Sequence, residues 1–223
     1  MVRIFLALAA LFSPAPPAFT VNILLVSPPG ETWTPDEQDA AIDATRSAVL
    51  WWTQHSPVAV PSFALGGVTM VSPADFSYDV FTWERAYIPM AEDFETSGNT
   101  NLTVFLIDNS ASHKTMGGAV GWAQTPMRTI TAVSGIQALP AVLTHEYGHA
   151  VLGLGHAPLL AFDIMAPTVP TDAYQAGVLG YYTRSALGAP LHRMYLPVLI
   201  SAGFAPTRAP LPTTAARPPR WSG

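Results

Sequence analysis

Residues 145–156 read His-Glu-Tyr-Gly-His-Ala-Val-Leu-Gly-Leu-Gly-His, with Glu146 the only acid among three histidines. Histidines four apart on a helix project from one face, one turn above the other. His145 and His149 can therefore reach a single ion at about 2.0–2.1 Å, the zinc–nitrogen distance. Glu146 falls beside such an ion rather than on it, where it can take a proton from a water that the ion acidifies. His156 stands seven residues beyond His149. A straight helix would carry it about 10.5 Å further along the axis, so the chain has to turn back. Gly153 and Gly155 are the residues that can end a helix with a positive φ and make that turn.

Other third ligands can be counted. No glutamate follows Glu146, which removes the arrangement of two helical histidines with a downstream glutamate. Asp163, Asp172 and His192 remain beside His156. His55 and His113 are scattered, and one histidine with one aspartate in the loop 108–118 does not make a second metal site. No dense acidic loop provides a motif for Ca2+.

With those residues in view, the segment resembles the metzincin superfamily of zinc proteases, and within it the matrixin group, whose pattern is HExxHxxGxxH followed by a methionine turn. Asp163-Ile164-Met165-Ala166-Pro167 resembles that turn, which implies that Asp163 holds it by hydrogen bonds. The resemblance implies an α+β, zincin-like catalytic domain: a mixed twisted sheet with an antiparallel edge strand, an active-site helix, a Met-turn and a C-terminal helix. It implies one catalytic Zn2+ on His145, His149 and His156, with Glu146 catalytic and Met165 beneath the metal. It also implies that Pro167 opens the wall of the main specificity pocket. Gly118, Ala119 and Val120 would lie on an edge strand that holds the substrate extended. The chain departs from the pattern at one place. The family puts its glycine three residues after the second histidine and its third histidine six after, whereas here the intervals are four and seven. The helix is accordingly expected to run to about Leu152 and to turn at Gly153. Many matrixins are kept latent by a cysteine, and this chain has none.

The elements that must position these residues are visible in the pattern of apolar residues and turn signals. Val21–Val26 reads as a strand. Thr34-Pro35-Asp36-Glu37 reads as a helix start, running to about His55 with Ala41, Ala44, Ala48 and Trp51 or Trp52 inside. Val58–Val71 is rich in β-formers but interrupted by Pro61 and Gly66-Gly67, so a bent strand or hairpin is expected. Trp83–Glu95 reads as a weaker helix or an irregular excursion. Leu102–Ile107 is the clearest central strand, with Gly117–Ala123 and Thr129–Val133 as two more. The motif helix opens at Leu139-Pro140 and runs through His149.

The 223 residues are 49% hydrophobic and 11% charged, with a formal net charge of −5. That is enough apolar material for a substantial core, and no basic run suggests nucleic acid. Residues 1–18 read as an export signal: Arg3, an apolar run over Ile4–Phe12, then a small, Pro-rich stretch. That run is far shorter than the roughly 20 residues a spanning helix needs, so no stable membrane anchor is expected. Residues 19–200 form the expected catalytic domain and 201–223 a Pro-rich disordered tail. With no cysteine there is no disulfide. The function expected is that of a secreted zinc-dependent endopeptidase acting on a protein or peptide substrate. The alternative is a catalytically inactive zinc-binding or adhesive domain of the same fold.

Overall fold

The residue types at Thr34–Glu37 start a helix as their chemistry dictates. The Glu37 N–H donates to the Thr34 hydroxyl at 3.3 Å, and the Thr34 N–H donates to the Glu37 carboxylate at 2.8 Å, a reciprocal cap. The computed structural model of the chain describes residues 19–60, 63–79, 101–124, 128–158, 162–168 and 170–188. Helix α1 (Pro35–His55) buries Ala41, Ala44, Ala48, Trp51 and Trp52. The expected helix at Trp83–Glu95, the signal at 1–18, His192 and the tail at 201–223 all lie outside the described residues.

Five strands form one sheet: β1 (Phe19–Val26), β2 (Phe63–Val71), β3 (Asn101–Ile107), β4 (Gly121–Gln124) and β5 (Thr129–Val133), in the order β2-β1-β3-β5-β4. Four are parallel, and β4 pairs antiparallel with β5 at one edge. Both faces of the central strands are covered. Val21, Ile23, Leu25, Val104 and Leu106 belong to one buried cluster, and Leu24, Val26, Phe105 and Ile107 to another. This explains why these strands read as unbroken apolar runs rather than alternating ones.

The first cluster is completed by α1 and by α2 (Leu139–Ala150), which pack against each other, with α2 also lying against β4 and β5. Two short helices, α3 (Thr171–Gln175) and α4 (Tyr181–Ala186), follow among the described residues. No described helix is long and apolar enough to cross a membrane.

Of the two forms expected for Val58–Val71, a bent strand or a hairpin, the described residues take the first: the single strand β2, parallel to β1. Gly66 is squeezed out of register, since Val21 pairs with Leu65 and Asn22 with Gly67. A Cβ at Gly66 would collide with the Thr20 and Asn22 side chains, so the glycine marks a bulge rather than a break. The strand expected over Gly117–Ala123 begins only at Gly121. Gly117 and Gly118 have φ of +59° and +96°, which no strand can hold, and they form the turn closed by Met116 and Ala119. Finally, α2 ends at Ala150, two residues short of Leu152.

Candidate metal centre

Gly148 sits in α2 one residue before His149, and its missing side chain decides what lies under the helix. A Cβ there would collide with Met165 Sδ and lie 3.1 Å from Trp52 Cζ2. Met165 is 1% exposed and packs directly against the helical turn that carries the two histidines. Trp52 Nε1 donates to Thr144 O at 2.8 Å, which ties α1 to the same turn.

Beyond Ala150 the chain reverses at Gly153, whose φ is +65°. The Leu154 N–H donates to Gly148 O at 3.0 Å, and inside that closure the Gly153 N–H donates to His149 O at 3.2 Å. The Gly153 bond reaches back four residues, as at a helix end closed by a left-handed glycine, and the Leu154 bond reaches back six.

The reversal brings the three histidines together. One ring nitrogen from each of His145, His149 and His156 lies within 4.8 Å of the others, and no other such group of three forms among the described residues. Ring centroids are 4.7 Å apart for His145 and His149, 5.2 Å for His145 and His156, and 4.6 Å for His149 and His156. His145 is buried, His149 half-buried and His156 exposed. His145 Nδ1 bonds to Ile164 O at 2.9 Å, and His149 Nδ1 to Leu154 O at 2.6 Å. A carbonyl only accepts, so each Nδ1 carries the proton and each Nε2 the lone pair.

Those two Nε2 atoms are 3.0 Å apart. Two lone pairs facing each other repel unless a positive charge stands between them. Tetrahedral ligands at 2.0–2.1 Å from one ion would be about 3.3 Å apart, so the donor set fits a zinc-like ion. A proton is a poor substitute here. Burial pushes the His145 imidazole down to about 4, and burial also lowers His149, so both are neutral and ready to ligate near pH 7.

Glu146 is 7% exposed and lines the cleft without joining the histidine group. Burial pushes its carboxyl up to about 8, and a divalent cation nearby would draw it back toward the ionised form. Two adjoining clefts meet at Glu146 and His156. The larger, about 490 Å³, is lined by Gly118, Ala119, Val120, Val142, Pro167 and Pro170 among others. The smaller, about 230 Å³, runs past Trp122, Ala123 and His149. Gly118, Ala119, Val120 and Pro167 thus all reach the cleft, although the first three precede β4 rather than belong to it.

Asp163 is not placed to bind the ion. Its carboxylate accepts from the Met165 N–H at 3.0 Å, from the Thr183 N–H at 3.0 Å and from the Thr183 hydroxyl. It pins the turn 163–166 to α4, and Ile164, whose carbonyl orients His145, lies inside that turn. Asp172 lies on α3, outside the histidine group. His55 is occupied within α1, with Nδ1 2.7 Å from Trp51 O, and His113 is an exposed turn residue with φ of +51°. Sequence reasoning misses the Leu154 and Ile164 carbonyls, which no residue type announces, and Trp122, which is 43% exposed at the rim.

No protein-family model matches the chain, and no curated protein matches it. Among solved structures it is similar to a chain of a chaperone–substrate complex, at 17% identity and a TM-score of 0.46, covering 67% of this chain but only 28% of that one. It is also similar to archaemetzincin from Methanopyrus kandleri, at 15% identity and a TM-score of 0.47, covering 76% of this chain and 94% of that one. A third is a zinc-dependent peptidase from Methanocorpusculum labreanum, at 12% identity and a TM-score of 0.37, covering 74% and 99%. At such identities the chemistry has to come from the site itself.

Proposed function

We propose that the chain is a zinc-dependent endopeptidase of matrixin-like type, with His145, His149 and His156 as ligands and Glu146 as general base. The observation that carries this reading is the pair of Nε2 atoms 3.0 Å apart, with His156 beside them and a buried carboxylate lining the same cleft. A bound zinc ion supplies Lewis acidity, lowering the pKa of a water to about 7 and polarising a carbonyl. Glu146 accepts the proton of the attacking water and passes it to the leaving amine. The outer edge of β4 offers backbone groups to an extended peptide. The larger cleft, walled by Val120, Val142, Pro167 and Pro170, receives an uncharged side chain. Met165 supports the helical turn from below. In this reading residues 1–18 are an export signal and the enzyme acts outside the cell.

The test is metal analysis and cleavage of casein and a peptide library by the purified protein, with and without a chelator. One zinc per chain and chelator-sensitive cleavage are expected. Glu146→Gln should keep the zinc and lower kcat by about 10²–10⁴-fold. A zinc-loaded parent that cleaves nothing would leave the inactive zinc-binding domain as the better reading.

A further inference from the structure

Gly121 opens β4, and nothing in its backbone calls for glycine. Its φ is not among the positive ones, and it pairs with Ala132 as an ordinary strand residue. Glycine inside a strand weakens it and often marks a close approach. Here the approach is to α2. A Cβ on Gly121 would lie 2.5 Å from Val142 Cγ1, 2.7 Å from Glu146 Oε1 and 3.0 Å from Glu146 Cγ. Val142 and Glu146 are four apart, so they stand on one face of the helix, and that face looks at the space a side chain would fill.

We infer that Gly121 is a positioning residue for Glu146: its bare backbone leaves the slot that holds the carboxylate at the cleft. This rests on the reading of Glu146 as the base. The nearest atom a methyl group would strike is Cγ1 of Val142, buried and β-branched on a helix, so it has little freedom to turn. Glu146 has the flexible side chain of the two, and its carboxylate is what gives way. At Gly148 the atoms a Cβ would meet belong to Met165 and Trp52, neither of which is the proposed base or a proposed ligand. Substitution at 121 is therefore the one expected to move the carboxylate while leaving the three histidines in place.

The experiment uses the full zinc-loaded chain and its Gly121→Ala, Glu146→Gln and double variants. Zinc affinity is read by chelator competition, thermal stability by calorimetry, and kcat and KM on a fluorogenic peptide that the parent cleaves. Gly121→Ala should keep zinc affinity within about twofold and lower kcat by about 10²-fold, the scale of a misplacement near 1 Å. Added to Glu146→Gln it should lower kcat no further, because coupled residues are not additive. Unchanged kcat, a parallel loss of zinc affinity, or the same factor again on the Glu146→Gln background would each overturn the inference.

Acetohydroxamic acid gives a readout that needs no turnover, since a chelating hydroxamate gives up a proton to a nearby carboxylate. Both single variants should weaken its binding to the zinc-loaded protein by at least about tenfold, one order being 1.4 kcal/mol. Weakening by Glu146→Gln alone would sink the positioning role and leave the base intact. Weakening by neither would remove the base, and the inference with it.

Discussion

His145 and His149 rise from a helix whose spacing alone aligns them, and each has one ring nitrogen fixed on a backbone carbonyl. His156 is exposed on the returning chain beyond Gly153, delivered there by a turn and by the bond from the Ala157 N–H to Met165 O at 2.7 Å. The first two are set by local periodicity and then locked by tertiary contacts. The third depends on the path of a loop. On the proposed reading, a site built this way has two pre-organised ligands and one that completes them.

The contrast is sharpest in zinc uptake. His145→Ala or His149→Ala should abolish binding measurable by chelator competition, whereas His156→Ala should leave a weaker two-histidine site. Equal loss in all three would show that the loop is as rigid as the helix. The next largest effect is expected at Asp163→Asn. The new amide sets a donor against the donors of Met165 and Thr183, and the Ile164 carbonyl then holds His145 less firmly. Loss of such an outer support lowers metal affinity by about 10–100-fold, to be read with the same competition assay. An unchanged affinity would show that the turn holds without its carboxylate.

The two halves are also unequally legible in the sequence. The helical pair, the cap at Thr34 and the buried face of α1 follow from spacing and residue type, so their positions are readable. Gly153 can be read as the turning point because the third histidine has to come back. The end of α2 cannot, because Val151 and Leu152 are compatible with helix and only the tertiary path ends it earlier. Gly117 and Gly118 mislead in the other direction. They sit in an apolar run that looks like strand, and their positive φ emerges only in the fold. Asp163 as a turn-holding residue is legible, but its partner Thr183, twenty residues away, is not.

Charge distinguishes the halves as well. In the chelator-stripped protein, His145 sits at about 4 against an ordinary 6.5. The native state therefore binds fewer protons than the unfolded chain between those values, and stability falls as pH drops through that window. Glu146 sits at about 8 against 4.5, so the native state holds the extra proton and stability falls as pH rises from 4.5 to 8. The metal-free protein should be most stable near about pH 5–6. A zinc ion would draw Glu146 from about 8 back toward its ionised form and release its proton, so the rise in Tm on adding zinc should grow as pH increases toward about 8. A rise independent of pH over that range would argue that the ion lies away from Glu146. The smallest effect is expected at Gly153→Ala. Nothing lies within 4 Å of the added Cβ, so only the left-handed backbone is strained, at about 1–2 kcal/mol, visible as a modest drop in Tm.

The wide closure at the end of α2 bears on how such sites are inherited. Leu154 reaches back to Gly148, and neither Gly153 nor Gly155 has a neighbour where a Cβ would stand, so the reversal has room in which a residue could be gained or lost. On the proposed reading, the three histidines need not move for the interval between them to change. Spacing along the chain is then a looser inheritance than position in space, and a pattern that fixes the count would pass over a centre whose geometry is whole.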